Sequence, residues 1–384
     1  MLMKFILSVV CVVCTFSGAY AWDFKRYNEH GDMIFYNIID ENSCEVTSGG
    51  DDPEYHYFGS VTIPEYVISD YNESEPVMLQ VVGIGAYAFF KQEFLNEIIL
   101  PQSIFYIGDF AFAGTDLYGI ELPHGLYSIG RKCFAGVRIR KSDDIVKPYL
   151  PYLIIPNTVG QIDEGAFSNA DIDIVEFEKE NTHLTEIPRQ AFKNSSVRVL
   201  YIKSKIRRIC EEAFSDCKEL SGIHMNDGVQ IIEDKAFYGH AKMKQLELPS
   251  TITDIGEDAF TTGFSLGIDV LYVNATRPPY CVAKESLGPT IVDRQGTYRY
   301  QITNTKLVVP FNSTNIYRTT YPWDRFPETS VSGRNTAGVS VPTVSRDDDA
   351  ESIFSVDGSR RSVLQKGVNI IRHKDGTVRK VYRK

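Results

Sequence analysis

The chain has 384 residues, 43% of them hydrophobic, and a formal net charge of −10. Residues 351–384 carry nine Lys/Arg against three Asp/Glu, a local +6 that leaves −16 on the rest. So acidic a body excludes a nucleic-acid binder, because phosphate contacts demand cations. Beyond residue 21 no run approaches the ~20 apolar residues of a membrane span.

Residues 1–21 read as a secretory signal, with Lys4 as a weak positive region, an apolar core over Phe5–Phe16 and an Ala19-Tyr20-Ala21 cleavage site. The mature chain is expected to start at Trp22 and to be secreted or held at the cell surface, associated with an outer membrane. Five cysteines then remain, Cys44, Cys133, Cys210, Cys217 and Cys281. They lack framework spacing and C-x-x-C pairs, so they are expected as buried small hydrophobes, without disulfides or zinc. Residues 22–80 form an N-terminal unit ahead of the repeats.

A repeat fills residues 81–275. Eight times an Ile stands five residues ahead of a Phe: Ile84/Phe89, Ile107/Phe112, Ile129/Phe134, Ile162/Phe167, Ile187/Phe192, Ile209/Phe214, Ile232/Phe237 and Ile255/Phe260. The residue before the Phe is Ala in seven copies and Cys133 in the other, and successive Phe lie 23, 22, 33, 25, 22, 23 and 23 apart. A period near 23 predicts a solenoid whose coils must stack to bury their apolar sides. After each Phe comes a run of apolar, variable, apolar residues such as Leu246-Glu247-Leu248, often closed by Pro. That alternation predicts a strand with one buried face, ended by the Pro. The rest of a coil is a short extended piece ending at the Ile, then a compact turn with a small Ala and a bulky Phe. The longer spacing in copy three implies an insertion over Arg138–Leu150. Copy four has Asp163 in place of the usual Gly, and local distortion is expected there.

The string LNEIILPQSIFYIGDFAF, Leu95 to Phe112, resembles the leucine-rich repeats of BspA-like bacterial surface proteins. The resemblance implies a β-rich (α/β) leucine-rich-repeat solenoid, wound as a right-handed superhelix with capped ends. Met33–Asn37, Cys44–Thr47 and Val61–Pro64 are similar to the β-rich opening of such proteins. Residues 276–329 would be the C-terminal cap, because Thr305–Phe326 resembles their closing strand followed by Tyr and Trp-x-x-Phe. Function by resemblance is adhesin-like binding of host or bacterial surface proteins.

Residues 330–350 are rich in Ser, Thr and Gly, then acidic, and read as a flexible linker. Residues 351–384 alternate again, with runs at Ile353–Val356, Gly367–Arg372 and Thr377–Arg383 separated by Asp357-Gly358 and Asp375-Gly376 turns. This basic segment resembles the sorting tails of exported bacterial proteins, which implies a role in export or surface retention.

The residues offer little for catalysis. Gly263-Phe264-Ser265-Leu266-Gly267 fits a nucleophile elbow by spacing but precedes a predicted strand where the elbow needs a helix. The glycines of Gly83-Ile84-Gly85 belong to the repeat register, with no βαβ unit around them. Seven histidines are scattered without a triad partner. No catalytic residue, cofactor or metal is expected.

The candidate site is therefore a surface. Strands stacked in register would line up their outward residues as a ladder: Ile99, Glu121, Ile154, Glu176, Tyr201, His224, Glu247 and Tyr272. Such a mixture of acidic, aromatic and apolar groups suits a protein partner, or a sugar stacked on the rings; cross-strand packing alone accounts for it equally well. Arg138, Arg140 and Lys141 in the insertion form a second candidate surface. The partner expected is an extracellular or host protein, with capture of an extracellular glycan or peptide, or a structural surface role, as the alternatives, and the chain itself a monomer.

Overall fold

The computed structural model describes residues 22–334 apart from 51, 53–54, 70–75, 118–119, 139–151, 182, 204, 242, 263–265, 283–286, 288–290, 293–297, 300–301, 303–304 and 328–329; beyond 334 it describes strands only. The signal segment, Arg140, Lys141 and Ser265 lie outside the described residues. Two compact units divide the chain after Arg334.

The first unit is a β-solenoid of about eight coils with little helix. Each coil turns its motif Ile and Phe inward: the eight Phe are at most 1% exposed and the eight Ile at most 6%. The Phe rings form one continuous stack. Centroids from Phe89 through Phe260 follow at 5.2, 5.3, 5.2, 4.9, 5.0, 5.3 and 5.8 Å, with planes within 7° of parallel. That step is close to the ~4.8 Å between hydrogen-bonded strands, so each ring is carried up by one coil rise and lands on its equivalent.

The backbone of the Ala-Phe turn climbs in the same way. Phe89 N–H donates to Ala111 O, Phe112 to Cys133, Phe134 to Ala166, Phe167 to Ala191, Phe192 to Ala213, Phe214 to Ala236 and Phe237 to Ala259, all at 2.7–2.9 Å. The residue before each Ala adopts a left-handed backbone; Tyr87, Phe110, Lys132, Gly165, Gln190, Glu212, Lys235 and Asp258 all have φ between 49° and 67°. Two residues after the Phe a second left-handed position recurs through Lys91, Gly114, Gly136, Asn169, Asn194, Asp216 and Gly239. Gly, Asn and Asp there carry the smallest penalty for that conformation. Close approach also explains the Gly after the Ile: a Cβ on Gly108 would lie 2.7 Å from the Ala86 nitrogen, and one on Gly256 2.4 Å from the Asp234 nitrogen.

The strand sheets are less continuous than this turn ladder. The longer strands pair in parallel as Gly59–Thr62 with Leu95–Ile99, then Tyr152–Ile155, Ile174–Phe177, Val199–Ile202 and Gly222–Met225, then Gln245–Leu248, Val270–Val273, Lys306–Pro310 and Val331–Arg334. The run Ile120–Leu122, expected as a strand, buries Leu122 without forming one. Among the short strands the ladder breaks between Gln161–Ile162 and Glu186–Ile187. Near that break the buried Asn181 donates to Val159 O at 2.7 Å and accepts the His183 and Leu184 N–H groups. The departure of coil four is thus confined to its strands, where the ladder breaks; in its turn Gly165 takes the left-handed position and the Phe stack passes through unbroken.

Both ends are covered. Phe24–Tyr27, Met33–Asp40 and Ser43–Thr47 pair antiparallel, and Ser43–Thr47 joins Val77–Ile84 in parallel to begin the short-strand sheet. At the other end Trp323, fully buried, donates its indole N–H to Pro279 O at 2.9 Å, and the Tyr317 hydroxyl donates to Ala275 O at 2.9 Å. Residues 331–334, expected at the start of the linker, are instead a strand paired with Lys306–Pro310. Open ladder groups on that strand find partners here, which a Ser/Gly-rich composition does not reveal.

The five cysteines of residues 22–384 are free thiols, four of them buried. In the second unit Ala350–Ser355, Arg360–Arg361, Gly367–His373 and Val378–Arg383 form one antiparallel sheet. Its expected Asp-Gly turns lie outside the described residues.

Candidate functional site

The outward ladder exists as a register. Ile154 pairs with Glu176, Glu176 with Tyr201 and Tyr201 with His224, while Glu247 pairs with Tyr272. Their strand neighbours Leu153, Ile155, Val175, Phe177, Leu200, Ile202, Leu246 and Leu248 point into the core. Ile99 sits on the separate N-terminal pair, opposite Thr62, and Glu121 is exposed on a segment without strand pairing. Seven of the eight residues therefore lie on three separate long-strand sheets, and Glu121 lies on none.

Several ladder groups are already engaged with each other. Glu176 accepts hydrogen bonds from the Tyr152 hydroxyl and from Lys203, whose ammonium also lies 5.4 Å over the Tyr201 ring. Tyr201 stacks on His224 at 4.7 Å and 9°. Burial lowers the His224 imidazole below its ordinary range, with nearby Glu247 opposing and Lys203 assisting. Glu247 receives hydrogen bonds from Asn274 at 2.9 Å and from Arg334 at 2.6 Å, and the Arg334 guanidinium lies 4.8 Å over the Tyr272 ring. Burial pulls the Glu247 carboxyl up, but those two donors outweigh it and hold the group below the usual carboxylate range.

The unspent contact capacity of the face is largely apolar. Ile99 is 49% exposed and Ile154 40%, and Phe58 and Phe94, a stacked pair at the start of the first long-strand pair, are 62% and 56% exposed. Tyr152, Lys203, Arg334, Phe58 and Phe94 were not legible as site residues. Arg334 reaches Glu247 across 87 residues, and no local pattern announces such a contact.

Arg138 is exposed, with its Nε 3.7 Å from Asp116 Oδ1, and its N–H donates to Thr115 O. On the short-strand side a shallow open groove of about 370 Å³ is lined by Arg208, Glu211, Glu233, Asp234 and Asp254. There Glu233 is held by Arg208 and by the Glu211 N–H. His240 is buried against Phe260 O at 2.8 Å, which places it in the core. Around the Gly-x-Ser-x-Gly spacing, the Ala259-Phe260 turn precedes and the strand Val270–Val273 follows. Among the described residues no group of three potential ligands could hold a metal ion, and no helix is long and apolar enough to cross a membrane.

Residues 76–143 and 147–266 match, in six copies, the model of the BspA type leucine-rich repeat region. Among solved structures, the chain is similar to a leucine-rich repeat protein from Bacteroides ovatus, at 18% identity and a TM-score of 0.45 over 72% of this chain and 69% of that one. A leucine rich cell surface protein from Faecalibacterium prausnitzii gives 17% identity and a TM-score of 0.41, covering 76% and 72% of the two chains. The pneumococcal vaccine antigen PcpA gives 14% and 0.32, covering 82% and 98%. No curated protein matches. The two matched stretches contain all eight Ile/Phe pairs, from Ile84 to Phe260, and break within the insertion of the third coil.

Proposed function

We propose that this protein is an exported cell-surface interaction protein of adhesin type, which binds an extracellular or host protein through the long-strand face without catalysis. The observation that carries this reading is the outward row of the long strands, in which Ile99 and Ile154 are exposed and Tyr201 and Tyr272 are half-buried, on BspA-type repeats. Large apolar groups held open on a rigid scaffold suit a protein interface, whose energy concentrates in such anchors. A glycan is the second reading, favoured by the two tyrosines. It is the weaker one, because His224 stacks on the Tyr201 ring and Arg334 covers Tyr272, and sugars need open ring faces.

The signal at 1–21 and the basic sheet at 351–384 serve export and surface retention in this proposal. Binding of the full chain to immobilised matrix proteins and to a glycan array separates the readings. Protein binding weakened by Ile154→Asp supports the first; sugar binding lost on Tyr201→Ala with Tyr272→Ala supports the second. Protein binding abolished by deleting 138–150 alone would move the site to the insertion. Unchanged protease accessibility on whole cells after removal of 351–384 would refute the retention role.

A further inference from the structure

A second surface lies on the turn edge of the first three coils, away from the long strands. Tyr87 stacks on Phe110 at 5.1 Å and 5°, and Phe90 stands edge-on to both, at 5.5 Å and 84° from Tyr87 and 6.4 Å and 90° from Phe110. The Lys91 ammonium lies 5.1 Å over Phe90 and that of Lys132 5.9 Å over Phe110. Tyr87 and Phe90 are 38% and 37% exposed.

The fold does not require this cluster. Tyr87 and Phe110 occupy the left-handed position before the Ala, at φ 59° and 56°, which a bulky aromatic residue seldom takes. In later coils the same position is filled by Gly165, Gln190, Glu212 and Asp258, with the turn ladder intact. Residues placed against their own backbone preference, where the scaffold accepts smaller or polar ones, point to a use outside the fold.

Chemistry narrows that use. Tyr87 and Phe110 each spend one face on the other, Lys132 lies over Phe110 and Lys91 over Phe90, which leaves little open ring face for a sugar. The rim of an aromatic ring carries the positive end of its quadrupole. Among the described residues neither Lys91 nor Lys132 makes an ion pair, although the protein carries ten more negative than positive charges. Positive rims and two uncompensated ammonium groups favour carboxylates beside apolar side chains.

We propose that Tyr87, Phe90, Lys91, Phe110 and Lys132 form a docking surface for an acidic polypeptide segment carrying apolar anchor residues. The surface is separate from the long-strand face, and its failure would leave that reading standing.

The test uses the full chain and a fluorescent synthetic peptide in which Glu alternates with Leu and Phe, read by anisotropy. Saturable binding that weakens with added salt, and that fails for the same peptide with Gln in place of Glu, is expected. Tyr87→Gln with Phe110→Gln imitates the fold's own Gln190 and keeps the turn; it and Lys91→Glu with Lys132→Glu are each expected to weaken binding about tenfold or more. Arg208→Ala, on neither proposed surface, serves as the control and is expected to leave peptide binding unchanged. No binding, equal binding of the Gln peptide, or unchanged affinity in both cluster variants with unaltered circular dichroism would overturn the assignment. Self-association of the full chain abolished by the cluster variants would also overturn it, by assigning the surface to a second copy.

Discussion

Replacing Phe192 tests what holds the coils together. Its ring is fully buried, stacked 4.9 Å from Phe167 and 5.0 Å from Phe214, with Phe177 edge-on at 6.3 Å. Phe192→Ala should cost about 3–5 kcal/mol, the range for emptying a well-packed aromatic site. Phe192→Leu keeps most of the volume but removes ring contacts worth about 0.5–1.5 kcal/mol each, so the two stacked neighbours alone give a loss of about 1–3 kcal/mol. Phe260, at the end of the stack, has one such neighbour among the described residues, Phe237 at 5.8 Å. Phe260→Leu should therefore cost less than Phe192→Leu by roughly one ring pair, about 0.5–1.5 kcal/mol. Urea unfolding followed by far-ultraviolet circular dichroism, with the fluorescence of Trp323 in a Trp22→Phe background reporting on the C-terminal cap, measures these differences. A Phe192→Leu variant within about 0.5 kcal/mol of the parent, or equal losses at the two positions, would refute the stack as a source of cohesion.

Gly108→Ala should destabilise by about 1–3 kcal/mol because its Cβ meets Ala86 backbone at 2.7 Å, whereas Gly136→Ala, with open space around the Cβ, should cost only the left-handed penalty of about 1–2 kcal/mol; chemical denaturation ranks the two. Trp323→Phe removes the donor to Pro279 O and should cost about 1–3 kcal/mol, with amide exchange accelerated first around residues 306–331. Burial pushes Cys44, Cys210, Cys217 and Cys281 up to about 12 from an ordinary 9.0. These thiols stay protonated in the folded state while the unfolded chain releases protons, so stability should fall as pH rises from 9 towards 12, and native thiols should resist alkylation at pH 8. His224 and His240 are lowered by burial, so the unfolded chain binds protons first and stability should fall as pH drops below 6.5; melting temperatures across that window check the sign.

The core was legible because one spacing, Ile to Phe with a small residue before the ring, recurs in every coil and has one geometric meaning. The long-strand register followed from period-two alternation, which is why Glu176, Tyr201 and His224 stand opposite one another as the pattern implies. The left-handed turn positions were half visible, in Gly114, Gly136, Asn169 and Asn194, and hidden at Tyr87 and Phe110, where inter-coil hydrogen bonds override preference. The ladder's partners were not legible at all. Lys203 and Arg334 meet Glu176 and Glu247 only after the chain has wound one or several coils, and composition disguised Val331–Arg334 as linker.

The long-strand face as a protein-binding surface is tested most directly by comparing three forms of the full chain on immobilised matrix proteins: the parent, Ile154→Asp with Tyr201→Ala, and Arg208→Ala on the opposite, short-strand face. The account predicts saturable binding by the parent and the Arg208→Ala variant, and a loss of about tenfold or more in the strand-face variant. Equal binding by all three forms, or greater loss from Arg208→Ala, would contradict it.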